Sequence, residues 1–113
     1  MRKVTEDSIK SFLNHRNGKF GGVCTNSYAG MGYGEINTEV DADGLYLFGN
    51  CIAKLKNNDL YVRIHTLSNT TRERLNGFSE FGYKLSVTQK NFQAYINGEP
   101  VEDYYKWYKV ERV

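Results

Sequence analysis

The chain has 113 residues, of which 40% are apolar and 25% are charged, which fits one globular domain and is too short for two ordinary ones. Its net charge of +2, from fifteen Lys and Arg against thirteen Asp and Glu, excludes a basic nucleic-acid coat and an acidic mimic of DNA. Because charged residues follow Met1 directly, we expect no signal peptide, and no apolar stretch approaches the roughly 20 residues that span a bilayer. We therefore expect a cytoplasmic protein that makes no membrane contact.

The beginning of the chain predicts an amphipathic helix from Glu6 to Arg16. Thr5 can cap the N-terminus of this helix, and Asn17-Gly18 supplies a stop. Its apolar residues at helical spacing are Ile9, Phe12 and Leu13. From Phe20 to Gly34 the glycine-rich sequence predicts a strand that breaks into a loop, and its glycine spacing does not match a phosphate-binding loop.

The middle of the chain alternates apolar and polar residues, which predicts antiparallel strands joined by short turns. We expect one long strand from Leu45 to Leu55 in the centre of a sheet, because both of its faces carry bulky side chains. Asp43-Gly44 before this strand is a strong hairpin signal, and a polar turn at residues 56–59 follows it. The three strands predicted in this region are Glu35–Val40, Leu45–Leu55 and Leu60–Leu67.

The second half of the chain predicts a short helix, a hairpin and a final strand. Thr70 and Glu73 match a capping box, in which each side chain hydrogen-bonds the backbone N–H of the other residue. Asn76-Gly77 then ends the helix, which is so short that tertiary packing must stabilise it. The hairpin pairs Tyr83–Lys90 with Phe92–Asn97, and the final strand runs from Asp103 to Val110.

These elements together predict an α+β fold. We expect a twisted, mainly antiparallel sheet of five to six strands with two short helices, in a single globular domain over residues 1–113. The composition supports this expectation, since aromatic residues make up 14% of the chain and it contains eleven Gly and one Pro. Aromatic-rich sequences interrupted by glycine favour strands joined by tight turns.

Three motifs occur along the chain in a recognisable order. Leu-Tyr-Leu-Phe-Gly-Asn-Cys-Ile-Ala spans positions 45–53, Asn-Thr-Thr-Arg-Glu-Arg-Leu-Asn spans 69–76, and Gln-Lys-Asn-Phe spans 89–92. Together they resemble a family of small phage-encoded proteins of unknown function. In that family a Gly-Asn-x-Ile-Ala strand precedes a Thr-Thr-Arg/Lys-x-Arg-Leu-Asn helix start and a Gln-Lys-Asn-aromatic strand.

This chain departs from the family pattern at two places. His65 and Leu67 stand where an aromatic Gly-Trp-like element is common, and Ala94 lies in the area of a usual Trp. The resemblance implies a phage gene whose product acts in the cytoplasm of the bacterial host. The resemblance indicates where the protein acts but not which reaction or binding it carries out. The family has no assigned activity, and a shared fold is a weak basis for function.

The two histidines do not indicate a catalytic centre, because none of the usual catalytic groupings can be assembled from the sequence. His15 is expected to end the first helix, where a cation is favoured by the helix dipole. His65 is expected on a strand beside Arg63, with no identifiable partner for proton transfer. We therefore expect a protein that is not an enzyme and needs no cofactor.

The acidic and thiol side chains do not indicate a metal site. Glu39, Asp41 and Asp43 alternate, but the pattern of a calcium loop is incomplete, so a solvated turn is the better interpretation. Cys24 and Cys51 are far apart and form no short metal-binding spacing, and we expect two reduced thiols.

Arginine and threonine residues near the predicted second helix form the first candidate site. A helix N-terminus presents free backbone N–H groups, and guanidinium groups add forked donors that suit a phosphate or a carboxylate. The alternative is a capped helix with Arg72 and Arg74 on its solvated face. The candidate residues are Arg63, Thr70, Thr71, Arg72 and Arg74.

The aromatic tail is the second candidate site. Aromatic rings interleaved with Lys can stack on bases and contact phosphates, and the same residue types are enriched at protein interfaces. Packing in the core is the third possibility and the expected one for at least two of the four aromatic residues. The residues of this tail are Tyr104, Tyr105, Lys106, Trp107 and Tyr108.

Three functions follow from these observations. The first is a non-enzymatic phage accessory protein that binds and modulates a host protein, in host takeover or counter-defence, which the near-neutral charge and the many Tyr favour. The second is a nucleic-acid-binding protein that uses the Arg cluster and the aromatic tail. The third, a small hydrolase or transferase, has no catalytic grouping to support it. The identity of the partner and the oligomeric state do not follow from the sequence.

Overall fold

The computed structural model describes residues 3–22, 35–66 and 68–113. None of the helices in these ranges is long and apolar enough to cross a membrane. The elements in chain order are α1 (Lys3–Leu13), β1 (Gly18–Gly22), β2 (Glu35–Asp41), β3 (Gly44–Leu47), β4 (Asn50–Lys56), β5 (Asp59–Val62), α2 (Asn69–Asn76), a 3-10 helix (Gly77–Phe81), β6 (Val87–Lys90), β7 (Gln93–Ile96), β8 (Glu99–Pro100) and β9 (Tyr108–Val110).

The strands form two antiparallel sheets. The larger sheet has six strands in the order β1-β2-β3-β4-β5-β9, and the smaller has three in the order β6-β7-β8. The expected α+β class with two short helices is therefore confirmed. The expectation that the hairpin of β6 and β7 belongs to the main sheet is wrong, because these strands form a separate sheet with β8. The last strand, β9, returns to the main sheet and pairs with β5.

The expected single strand from Leu45 to Leu55 is wrong, because a tight turn at Phe48-Gly49 separates β3 from β4. Both turn residues have positive φ, +51° and +81°, as a two-residue hairpin turn of this type requires. The turn shifts the alternation by one residue, and a bulge at Ile52 shifts it back, so that Leu45 pairs with Ala53. Because the two one-residue shifts cancel, the apolar residues between Leu45 and Leu55 alternate in the sequence as they would in one uninterrupted strand.

The helix boundaries also differ from the expected ones. Helix α1 ends at Leu13 and not at Arg16, because His15 has a φ of +57°, in the left-handed region that ends helices. Helix α2 is capped by Ser68 and not by Thr70: the Ser68 hydroxyl accepts the backbone N–H of Thr71 at 3.1 Å. The helix cap therefore lies two residues before the predicted one.

The later strands are shorter than expected. Only the last three residues of the predicted strand Asp103–Val110 pair with β5, while residues 104–106 form turns and a bend. The second hairpin stops at Ile96, since Asn97 lies in a turn with a φ of +52°. Of the predicted segment Phe20–Gly34, β1 covers the first part, and residues 23–34, including Cys24, lie outside the described residues.

Both helices pack on one face of the larger sheet, which we call the inner face. The ring of Phe12 on α1 meets the ring of Phe78 on the 3-10 helix edge to face, with their centroids 5.7 Å apart. The opposite side of the sheet is called the outer face. The buried inner-face residues are Thr38, Val40, Leu45, Leu47, Ala53, Leu60, Val62 and Val110.

Candidate functional site

Arg74 is in the core and not on the surface. Its side chain is 0% exposed, so both expectations for it, a surface binding role and a solvated helix face, are wrong. The Arg74 guanidinium donates from Nε to Thr38 Oγ1 at 3.1 Å, and from Nη1 to Thr5 Oγ1 at 2.7 Å and Glu73 Oε1 at 2.6 Å. A charged group is tolerated in a core only when it is paired and hydrogen-bonded in this way. Arg74 therefore joins α1, β2 and α2.

The threonines at the start of α2 are used by the helix itself. Thr71 is 3% exposed, and its hydroxyl lies 3.0 Å from that of its capping residue Ser68. Glu73, expected to complete a capping box with Thr70, accepts hydrogen bonds from Thr5 and Arg74 instead. Thr70 stays partly exposed at the helix N-terminus. The described contacts at this helix start are those of a capped helix.

Arg72 is half-buried and directs its guanidinium to its own helix. Its Nη2 donates to Asn69 Oδ1, three residues earlier. Its Nε is buried and has no hydrogen-bond partner among the described residues. Arg72 therefore remains beside Thr70 near the N-terminus of α2, but the core position of Arg74 leaves it without a second arginine there.

Arg63 lies away from α2, on the outer face of the sheet. Its neighbours Val62 and Ile64 are both buried, and the side chains of an extended chain alternate between the two faces. Arg63 Nε donates to the carbonyl oxygen of Cys51 at 2.7 Å, and its guanidinium carbon lies 4.5 Å from the centroid of the Trp107 ring. The structure thus divides the predicted arginine cluster among three places.

Two cations and two aromatic rings meet on the outer face. The ammonium of Lys54 lies 4.3 Å from the centroid of Trp107 and 6.0 Å from that of Tyr61, its partner across β4 and β5. Both cations lie within cation–π range of the indole. We call Lys54, Tyr61, Arg63 and Trp107 the outer-face cluster. Its two cations take part in none of the ion pairs among the described residues.

Cys51 borders the outer-face cluster, and burial raises the pKa of its thiol above the ordinary value, although Arg63 and Lys54 oppose that shift. Its cross-strand neighbour is Tyr46. The pKa of the Tyr46 phenol is also raised, first by the charge of ionised Cys51 and then by burial. Because the thiolate is the reactive form of cysteine, a raised pKa lowers the share of reactive Cys51.

The aromatic tail is divided between core and surface. Tyr104 and Tyr108 pack against the hydrophobic core, which confirms the expectation that at least two of the four aromatic residues would do so. Tyr105 is 62% exposed, and its ring meets that of His65 edge to face at 5.1 Å. Lys106 is exposed and places its ammonium 5.6 Å from the Tyr108 ring. Trp107 alone of this segment joins the outer-face cluster.

The sequence contained part of the signal for the outer-face cluster. Tyr61 and Arg63 alternate with buried residues of β5, so their common face followed from the pattern. Local pattern does not place Lys54 in the cluster, because its position opposite Tyr61 depends on the hairpin register. Trp107, predicted within the final strand, reaches the cluster from the segment before β9. That contact depends on how the tail returns to the sheet.

The histidines make polar contacts outside this cluster. His15 Nδ1 lies 2.6 Å from Asp43 Oδ1, between the end of α1 and the β2–β3 turn. His65 lies after β5 with a φ of +58°, and not within a strand as expected, and its Nδ1 is 3.1 Å from Thr66 Oγ1. Over residues 3–22, 35–66 and 68–113, no three side chains of His, Cys, Asp or Glu are placed to hold a metal ion.

Comparison with known protein families gives a match over nearly the whole chain. The family model of the Kyanoviridae Gp96 protein matches residues 1–111. No curated protein and no solved structure matches the chain significantly.

Proposed function

The chain belongs to the Kyanoviridae Gp96 family of phage proteins, and we propose that it acts without catalysis, by binding and modulating a protein of the bacterial host. The observation that carries this proposal is the outer-face cluster, in which Lys54 and Arg63 lie within 4.5 Å of the Trp107 ring. The site of action in this proposal is the host cytoplasm, in host takeover or counter-defence.

The residue types of the cluster are those that dominate the energy of protein interfaces. Trp, Tyr and Arg are enriched among interface residues whose truncation costs most binding energy. Trp107 and Arg63 are partly buried and hold each other in place, and Arg63 is also fixed by its hydrogen bond to Cys51. Side chains that are ordered before binding lose little conformational entropy when a partner arrives.

The charges of the cluster indicate what the partner offers. Neither Lys54 nor Arg63 has a carboxylate partner among the described residues. A partner surface that carries Asp or Glu beside an apolar patch would pair both cations and cover the indole. Charge complementarity of this kind determines specificity and association rate more than affinity.

Nucleic-acid binding is the second candidate, and the two cations beside Trp107 and Tyr61 favour it. Aromatic rings can stack on unpaired bases while Lys and Arg contact phosphates. The buried position of Arg74 and the separation of Arg72 from Arg63 remove two of the three arginines on which that candidate rested. The host-protein candidate is therefore preferred.

The test compares tagged wild-type protein with two variants in infected and uninfected host lysate. Trp107→Ala removes the ring, and Lys54→Gln with Arg63→Gln removes both charges while keeping polar side chains of similar length. Lys10→Gln is the matched control, since Lys10 is an exposed lysine on α1, on the other side of the sheet. We expect one stoichiometric host protein with wild type and the control, and its loss with both cluster variants.

Labelled DNA and RNA tested at several salt concentrations separate the two candidates. Binding that weakens steeply as salt rises would favour the nucleic-acid function. Equal capture of the same host protein by wild type and both cluster variants would contradict the proposed site.

A further inference from the structure

Exposed aromatic side chains lie in the neighbourhood of His65. In the described part of the chain, three aromatic side chains are more than half exposed: Phe48 at 59%, Phe92 at 91% and Tyr105 at 62%. His65 lies beside two of them, because its ring meets that of Tyr105 edge to face and it lines one cavity with Phe48; it also lines a second cavity with Gln93, the residue after Phe92. We call Phe48, His65, Phe92 and Tyr105 the aromatic end.

Folding does not explain why two of these positions hold phenylalanine. Phe48 and Phe92 lie in two-residue hairpin turns with φ of +51° and +63°. Gly or Asn adopts this conformation with less strain, and a bulky side chain there is uncommon. An exposed Phe also gains little from burial in its own fold. Contact with another molecule would explain why an exposed phenylalanine occupies both positions.

The first cavity accepts an apolar group. It has a volume of about 300 Å³ and lies between the β3–β4 turn and the start of α2. Leu47, Phe48 and Ile52 form its apolar wall. The hydroxyls of Ser68 and Thr71, on its other side, already hydrogen-bond with each other in the helix cap. This arrangement suits an aliphatic or aromatic side chain.

The second cavity accepts a cation. It has a volume of about 440 Å³, and its lining includes Glu102 and Asp103 but no Lys or Arg. Neither carboxylate takes part in an ion pair among the described residues. Asp103 Oδ1 accepts the backbone N–H of Tyr105 at 2.9 Å, which holds one carboxylate in position. A Lys or Arg side chain complements this cavity, whereas a phosphate would be repelled.

We propose that the aromatic end docks an extended segment of a protein partner, with an apolar side chain in the first cavity and a Lys or Arg side chain in the second. His65 lies between the two cavities, so the two anchor residues would be roughly two to four positions apart in an extended chain that rises about 3.3 Å per residue. The inference rests on the proposed function in taking a protein as partner, and it uses residues outside the outer-face cluster.

The test uses the purified full chain and synthetic peptides of about ten residues, long enough to cross both cavities in an extended conformation. Each peptide has a Gly-Ser background with one Leu and one Arg, separated by two, three or four positions. Matched peptides replace Leu by Ser or Arg by Glu. Fluorescence anisotropy of a labelled peptide measures binding, and amide chemical shifts of the protein locate it.

We expect at least one Leu–Arg spacing to bind about tenfold more tightly than both matched peptides, since each anchor contributes separately. The variant Glu102→Gln with Asp103→Asn should lower affinity for that peptide by about tenfold, because a charge pair is lost while the amide oxygen introduced by the second change can still accept the Tyr105 N–H. Phe48→Ser should lower it as well. Glu99→Gln, a change to an exposed carboxylate on β8 outside both cavities, should leave it unchanged.

Three results would overturn the inference: binding of none of the Leu–Arg peptides, equal binding of Arg and Glu peptides, or unchanged binding by the variant that neutralises Glu102 and Asp103. Its failure can be told apart from failure of the proposed function. Absence of peptide binding, with loss of host-protein capture by Trp107→Ala, removes only the aromatic-end site. Peptide binding with unaltered host-protein capture by Trp107→Ala removes only the outer-face site.

Discussion

Arg74 Nη1 lies 2.7 Å from Thr5 Oγ1, although the two residues are 69 positions apart. This contact joins the two helices below the surface, and Glu73 completes it by accepting from both side chains. The third partner, Thr38 of β2, extends the network to the sheet. The buried Arg74 guanidinium therefore links α1, β2 and α2, which come from distant parts of the sequence.

Arg74→Ala is expected to lower the free energy of unfolding by about 3 kcal/mol, because it leaves polar partners in the core without their donor. Urea denaturation followed by circular dichroism measures the change. Thr5→Val, which removes one hydroxyl and keeps the shape of the side chain, should cost less, about 1 to 2 kcal/mol. A loss below about 0.5 kcal/mol for Arg74→Ala, the range of ordinary surface changes, would contradict the structural role given to the network.

Because Phe92 has a positive φ, Phe92→Gly is expected to leave the free energy of unfolding unchanged or to raise it by up to about 1 kcal/mol. Glycine relieves the strain of positive φ at this position, while the greater freedom of the unfolded chain offsets part of the gain. Thermal unfolding of the variant measures the balance. A clear fall in Tm would show that Phe92 packs within its own fold, which would weaken the docking role given to the aromatic end.

Lys54 and Trp107 should be energetically coupled. A double-mutant cycle with Lys54→Gln and Trp107→Leu is expected to give a coupling free energy of about 0.5 to 1 kcal/mol, as for partly exposed cation–π pairs. Denaturant unfolding of the wild type, both single variants and the double variant provides the four values. Strict additivity would indicate that the two side chains are neighbours without a mutual preference.

Asn76 takes the place of a neighbouring strand at the edge of the smaller sheet. Its Oδ1 accepts the backbone N–H of Val87 at 2.6 Å, and its Nδ2 donates to the Val87 carbonyl at 2.9 Å. Asn76→Ala is expected to cost about 2 kcal/mol, since two partly buried backbone groups lose their partner. Asn76→Asp keeps the acceptor for the Val87 N–H but places a carboxylate oxygen against the Val87 carbonyl, so it should also lower stability. Urea denaturation of both variants measures these costs, and a cost below about 0.5 kcal/mol for Asn76→Ala would contradict the role given to this side chain.

Stability should fall in the alkaline range because of Cys51. Burial raises the pKa of its thiol in the folded chain, so folding favours the protonated form. That contribution is complete below the pKa of the thiol in the unfolded chain and is lost as the pH rises through the higher pKa of the folded state. Tyr46, whose pKa is also raised, adds a loss of the same sign at higher pH.

Urea denaturation at neutral pH and at several alkaline pH values measures this dependence. Cys51→Ser, which has no group that ionises in this range, should flatten the first part of the decline. An identical pH dependence in wild type and Cys51→Ser would exclude the thiol as its source.

Local sequence determined most of the secondary structure. The alternation in Glu35–Val40 and the polar turn after Lys56 predicted strands and a turn that the structure contains. Such features depend on neighbouring residues and on the period of side chains along a strand, so they can be inferred from a short stretch of chain. The α+β class followed from the order of these elements.

The tertiary structure alone decided which residues share a site. Arg72 and Arg74 are two positions apart, yet one is half-exposed and the other lies in the core, because Thr5 and Thr38 come from distant segments to meet Arg74. Trp107 meets Lys54 only because the chain returns to the edge of β5 after the smaller sheet. The sequence by itself determined the elements, since these depend on local preferences. The surface depends on contacts between segments far apart in the chain, and only folding brings those segments together.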